Sequence, residues 1–369
     1  MDIFKPRLIS LKEKIEQKNY RLFAVQKKEN IYYLTGFWGD QGASILLVSS
    51  NKCYLLVHFI YYLEAKESIN NTDIEIVGFQ TDKFKHFLKL ADSFDKPSLV
   101  LEESSLSYQD YKKIKDIMQQ KKIKVEVVSG LLEKQRIIKD KTEINNLKKA
   151  CQVSDKVYEY LIASKKDFFY GLTETRLGLE MEEKIYELGA DGASFDFIIA
   201  NNQSSAFPHY HARNKMIRPG ALLLDYGAAY GHYHADITRT FFIDLKKEDK
   251  FKKIYDIVLQ AQILALENCR PGIKCNQLDQ IARNFIKSKG YGECFGHGLG
   301  HGAGLEVHEA PVIGKSSSQK LKPGMVVTIE PGIYLEGLGG VRIEDTVLVE
   351  EGGCQPLINC TKTYTNLIG

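Results

Sequence analysis

The chain has 369 residues, 44% hydrophobic and 26% charged, which exceeds the reach of one hydrophobic core and rules out both a lone small binding module and disorder over most of the length. Fifty basic residues stand against 47 acidic ones, a net charge of +3. No general field therefore favours nucleic acid or anionic lipid, and neither is expected as a partner.

In chain order, Met1 to Pro6 leads into a charged, helix-like stretch with no apolar core and no small-residue cleavage site, so export is not expected. The longest apolar run, Cys53 to Leu63, contains His58 and is about half the ~20 residues a membrane span needs. Seven cysteines, at 53, 151, 269, 275, 294, 354 and 360, are odd in number and never spaced as CxxC. That argues against a disulfide framework or a zinc ribbon and fits reduced thiols in a cytoplasm.

Residues 1–135 alternate strand-like and helix-like patterns and predict a small α/β domain. Ile31–Thr35 and Ser44–Val48 read as strands flanking the turn-rich Gly36–Gly42, which holds the only tryptophan, Trp38, and further strands are expected at Cys53–Phe59 and Ile74–Val77. The lysine run from Lys112 to Lys124 is interleaved with Ile114, Ile117, Met118 and Ile123, the signature of a solvated helix face. Asp140-Lys141-Thr142-Glu143 reads as a capping box opening a long helix, so a second domain is expected over 140–369. Thr173 is expected to cap the next helix, with Leu177, Met181, Ile185 and Leu188 on one face.

The chemistry concentrates in this second part: seven of nine histidines lie between 209 and 308, and fifteen of 29 glycines between 290 and 353. Asp225 and Asp236 are each embedded in an apolar strand, eleven residues apart across a turn at Gly231, a spacing that suits a hairpin with both carboxylates on one face. Glu330 and Glu344 repeat the device fourteen residues apart across Gly337 to Gly340, suggesting two halves of a pseudo-symmetric core. Buried carboxylates need positive partners. Arg239 and Arg342 cannot neutralise four of them, whereas two divalent ions can. Four carboxylates with imidazole favour Mn, Co, Fe or Zn in a dinuclear site. The imidazole comes from the glycine-rich Phe295–Glu309 segment, with His297, His301 and His308 at steps of four and seven. No Gly-Lys-Ser, Gly-Lys-Thr or GxGxxG accompanies those glycines, which sets phosphate binding aside.

"LLLDYGAAYGHYHADITRT", "HGLGHGAGLEVHE", "TIEPGIY" and "GGVRIED" resemble the Xaa-Pro branch of the pita-bread metallopeptidases, and the first 135 residues, with "YYLTGF", resemble the creatinase-type N-terminal domain. The resemblance implies a mixed α/β (α+β) chain, a creatinase-like N-terminal α/β domain over 1–135 followed by a pita-bread catalytic domain over 140–369. It implies two divalent ions per subunit, manganese favoured, with Asp225 chelating one, Asp236 and Glu344 bridging both, and His301 and Glu330 completing the other. By the same resemblance His308 contacts the scissile carbonyl and Glu330 is the general base. His209 lies near the scissile nitrogen, with His211 as an immediate competitor, and His297, Tyr334 and Arg342 fall at substrate-side or supporting positions. The activity implied is an Xaa-Pro dipeptidase acting on proline-containing peptides. The alternatives are an Xaa-Pro aminopeptidase acting on longer peptides, a methionine aminopeptidase and a non-catalytic peptide-binding relative. A cytoplasmic homodimer is implied as well, and Trp38, expected to be exposed, would help close a partner's site, with a packed core position as the alternative.

Overall fold

A computed structural model describes residues 3–81, 83–91, 98–164, 166–245 and 249–367; Met1 and Asp2 of the N-terminal stretch lie outside them. The chain divides into two units, Met1–Gln135 and Arg136–Gly369.

The first unit is built on a six-stranded sheet, β1 (Leu22–Val25), β2 (Ser44–Val48), β3 (Cys53–His58), β4 (Glu75–Phe79), β5 (Leu99–Glu102) and β6 (Val125–Val128), in the order β4-β3-β2-β1-β5-β6. β1, β2 and β5 are buried along their whole length, as expected of central strands covered on both faces. The helix Tyr108–Gln120 buries Ile114 and Met118 and leaves its lysines in solvent. Ile31–Thr35, whose β-branched and aromatic residues predict a strand, is instead the end of a helix, Lys28–Thr35. Ile31, Leu34 and Thr35 fall on its buried face, and Gly36, in the left-handed conformation at φ 82°, closes it. Trp38 is half-buried, set edge-on against Tyr32 at 5.4 Å with Lys28 Nζ 4.8 Å over its ring.

The second unit repeats one plan twice: two helices, then antiparallel strands that include a long hairpin. In its first half the helix Lys141–Ala163 opens with the capping box of Asp140 and Glu143, and Thr173 caps the helix Glu174–Glu187. Strands β7 (Gly192–Ala193), β8 (Ile198–Asn201), β9 (Gly220–Tyr226), β10 (Ala228–Tyr230), β11 (Tyr233–His234) and β12 (Ile237–Ile243) follow. The second half begins with helices Asp249–Asn268 and Cys275–Ser288. Its strands are β13 (Gly300–Gly302), β14 (Glu309–Ile313), β15 (Val326–Ile329), β16 (Gly332–Leu335), β17 (Gly339–Arg342), β18 (Asp345–Glu350) and β19 (Gly353–Pro356), and a last strand, β20 (Asn366–Leu367), pairs in parallel with β12. Apolar side chains of both helices, among them Ile254, Val258, Leu278 and Ile286, join Val327, Ile329, Val341 and Val347 in one core cluster. The two hairpins lie side by side: Glu344 N–H donates to the Thr238 carbonyl at 3.1 Å, and the Thr346 hydroxyl to the Asp236 carbonyl at 2.7 Å. Among the described residues no helix is long and apolar enough to cross a membrane.

Candidate metal centre and active site

Register places the carboxylates. In the first hairpin Thr238 pairs with Asp225, and Asp236 lies two residues before Thr238, just ahead of β12, so both acids project from one face as diagonal neighbours. In the second, pairing continues from Ile329 opposite Asp345 to Gly332 opposite Arg342, which sets Glu330 directly opposite Glu344. His301 comes from β13, which runs between β14 and β15. A Cβ at Gly300 or Gly302 would fall 2.0 Å from the Thr328 carbonyl oxygen or 2.2 Å from that of Ala310, so the glycine alternation around His301 is a requirement of close strand packing.

The ring of His301 is oriented for coordination. Its Nδ1 lies 3.1 Å from the Gly302 carbonyl, which can only accept, so Nδ1 carries a proton and Nε2 faces Glu330 Oε1 at 3.3 Å and Asp236 Oδ2 at 3.6 Å. Ligand atoms of Asp236, His301 and Glu344 all lie within 4.8 Å of one another. One oxygen each of Asp225, Asp236 and Glu344 is buried with no hydrogen-bond partner among the described residues. Three orphaned carboxylate oxygens around one imidazole are what a cation would satisfy, so these residues fit divalent metal.

The electrostatics agree. Burial, then repulsion from neighbouring carboxylates, raises Asp236 and Glu344 well above the usual carboxylate range. Burial also pushes Glu330 upward, but the hydrogen bond and charge of His301, with the charge of Arg342, outweigh it and bring Glu330 to about 2. Burial disfavours the charged form of His301, yet its bond to Glu330 raises it overall.

A second chain of contacts runs behind the carboxylates. Arg342 donates through Nη2 to Asp225, through Nε to the Thr238 hydroxyl at 2.9 Å and through Nη1 to the Tyr334 hydroxyl at 2.7 Å. Nδ1 of His297 donates to the Gly298 carbonyl at 2.8 Å, and burial holds this ring below its ordinary pKa and neutral. Its Nε2 therefore accepts from Tyr334, 2.9 Å away. His308 packs its ring 4.1 Å from that of His301, and burial followed by the charge of His301 lowers its pKa.

The metal-ligand and catalytic candidates line one cavity of about 590 Å³, except Tyr334, which stands behind Arg342; Arg239, considered as a counter-charge for the acids, pairs instead with Asp345 at 2.7 Å. His209 and His211 both reach its wall. Thr238 escaped notice, although its place two residues after Asp236 on one strand face was a usable signal. Glu309 and the cations that hold it carried no such signal.

Residues 145–351 match the model of metallopeptidase family M24, and residues 7–138 that of the creatinase/prolidase N-terminal domain. The chain belongs to metallopeptidase family M24. It is similar along its whole length to the Xaa-Pro dipeptidase of Pyrococcus horikoshii, at 38% identity over 372 residues, covering 100% of each chain. Among solved structures, an Xaa-Pro dipeptidase from Bacillus anthracis superposes with a TM-score of 0.90 at 33% identity, covering 98% of this chain and 99% of that one. An X-Pro aminopeptidase from Thermotoga maritima gives 0.89 at 32%, covering 97% and 99%. The M24 chain is thus an enzyme of the metallopeptidase class with a pita-bread catalytic fold.

Proposed function

We propose that this M24 enzyme is an Xaa-Pro dipeptidase, hydrolysing the bond between an N-terminal residue and a following proline. The observation that carries the reading is the meeting of two carboxylate hairpins with His301 at one cavity, where three buried carboxylate oxygens lack a partner among the described residues. The names borne by its full-length relatives supply the substrate class.

Asp225, Asp236, His301, Glu330 and Glu344 would hold two divalent ions, with manganese favoured among Mn, Co, Zn and Fe because the shell is oxygen-rich. When bound, such ions make a water available as hydroxide near neutral pH and polarise the peptide carbonyl. Glu330 is ionised at neutral pH, so its carboxylate takes the proton of the attacking water and returns it to the leaving imino nitrogen. His308 donates to the carbonyl oxygen as negative charge develops there. His209 serves the nitrogen side of the scissile bond. Arg342, Tyr334 and neutral His297 hold the wall beside Asp225, so that the apolar sides of the cavity meet a proline ring that has no N–H to offer.

Residues 1–135 and 140–369 are the N-terminal and catalytic domains of this reading, the working form is a homodimer, and the seven free thiols suit the cytoplasm. Metal-reconstituted protein assayed on Ala-Pro, Ala-Pro-Ala and Met-Ala-Ser tests it. Hydrolysis of Ala-Pro with Met-Ala-Ser untouched is the expected result, and preference for Met-Ala-Ser replaces the reading with a methionine aminopeptidase.

A further inference from the structure

His308 is oriented by little of its own. Its imidazole makes no hydrogen bond among the described residues and lies 4.1 Å from the ring of His301, so the main chain around it must set much of its position. That main chain is a short turn between β13 and β14, closed by the pairing of Gly302 with Glu309 and by Gly304 N–H donating to the Glu306 carbonyl at 3.0 Å.

The turn is held from behind by buried charge. Glu309, the residue after His308, has a side chain 6% exposed whose Oε1 accepts from Lys139 Nζ at 2.6 Å and whose Oε2 accepts from Arg136 Nη2 at 2.5 Å. The two cations are 0% and 2% exposed, and Arg136 also reaches Glu306 Oε2 at 3.0 Å, so each buried cation meets a carboxylate. Arg136 thus grips the turn at both 306 and 309. A Cβ at residue 304 would lie 2.4 Å from Glu309 Oε1, so glycine there makes room for the carboxylate. Burial would raise Glu309, but Lys139 and Arg136 outweigh it and keep it ionised. Such a quartet contributes little stability that apolar residues of equal volume would not, whereas it fixes geometry closely.

We propose that Arg136 and Lys139, by clamping Glu309, are positioning residues that hold His308 at the substrate carbonyl. This rests on the reading of His308 as the donor to that carbonyl.

In the metal-loaded full-length enzyme, Lys139→Met and Glu309→Gln are expected to lower kcat on Ala-Pro by roughly tenfold to a hundredfold while KM changes less than about threefold. Arg136→Lys, which keeps the charge, loses less than Arg136→Met. Neither clamp variant lowers kcat further in the His308→Ala background, because its effect passes through that ring. Independently of activity, amide hydrogen exchange speeds up over residues 303–309 with metal content unchanged. Should Lys139→Met fail to fold, the nearly isosteric Glu309→Gln carries the test. Wild-type kcat in the folded clamp variants overturns the proposal. Losses that multiply in the His308→Ala background overturn it too, and leave the reading of the site intact. Full kcat in His308→Ala alone overturns that reading, and the proposal with it.

Discussion

The Thr238 hydroxyl donates to Glu344 Oε2 at 2.6 Å, because Arg342 Nε, which can only donate, approaches the Thr238 hydroxyl oxygen at 2.9 Å. One hydroxyl therefore orients a carboxylate whose other oxygen is buried without a partner among the described residues. Groups that hold a metal ligand in this way commonly set affinity as strongly as some ligands do.

Thr238→Val keeps the shape of the side chain and removes the proton. Divalent metal affinity, read by competition with a chelating dye, is expected to fall about 10- to 100-fold, while Thr238→Ser stays near wild type. Equal affinity in the valine variant would show that Glu344 needs no such support.

Metal removal inverts the pH dependence of stability. In chelated protein Asp236 and Glu344 keep protons that the unfolded chain releases, so their contribution is full at low pH and is lost as pH rises through their raised values. His301, also raised, acts in the same direction. Glu330, brought from 4.5 to about 2, contributes above the ordinary carboxylate range and loses that only as pH falls toward 2. The unfolding temperature of chelated protein should therefore decline over the interval above the ordinary carboxylate range. Metal-saturated protein should gain or hold stability over that interval, because binding releases the same protons. Parallel profiles by calorimetry would exclude those carboxylates as metal ligands.

His209 and His211 flank Tyr210, whose hydroxyl donates to buried Glu174 Oε2 at 2.8 Å. Both line the cavity, and His209 follows Pro208, whose carbonyl accepts from Arg342 Nη1 at 3.2 Å. His209→Ala is expected to lower kcat/KM by about 10² or more, as loss of a group that orients the scissile nitrogen does, and His211→Ala by less than about threefold. Tyr210→Phe takes a donor from a buried carboxylate that, among the described residues, otherwise receives Asn201 N–H and Arg213 N–H, and should destabilise the fold by about 1–3 kcal/mol. Steady-state kinetics of the two alanine variants separate the histidines directly.

The meeting of the four acids was legible because each interrupts an apolar stretch of sequence and the two hairpins repeat the interruption. The step of eleven or fourteen residues, with a glycine turn between, leaves little freedom in which faces meet. Ile31–Thr35 was misread because Ile, Tyr and Thr favour strands locally, whereas the buried face at 31, 34 and 35 and the left-handed Gly36 make it helical. The clamp on His308 was invisible for a different reason. Arg136 and Lys139 lie about 170 residues from Glu309 along the chain, and two basic residues before a capping box resemble any solvated linker until burial is known.

The cavity wall makes a sharper demand on the substrate. Among the described residues that line it, Arg342 is the only lysine or arginine, and four of its five N–H groups already go to Thr238, Pro208, Tyr334 and Asp225. A dipeptide brings its free carboxylate into this space and needs a cationic donor. If a second subunit supplies that donor, kcat/KM for Ala-Pro falls as the enzyme is diluted below its dimer dissociation constant, whereas Ala-Pro-amide, which lacks the charge, is hydrolysed independently of dilution. If the remaining N–H of Arg342 suffices, both substrates ignore dilution, and Arg342→Lys impairs Ala-Pro more than the amide because a point charge cannot replace the fork. In either case Ala-Pro should be cleaved at least as well as Ala-Pro-Ala-Ala. A tenfold advantage for the tetrapeptide, about 1.4 kcal/mol of transition-state stabilisation, would mean that no cation holds the carboxylate and that the enzyme is an Xaa-Pro aminopeptidase.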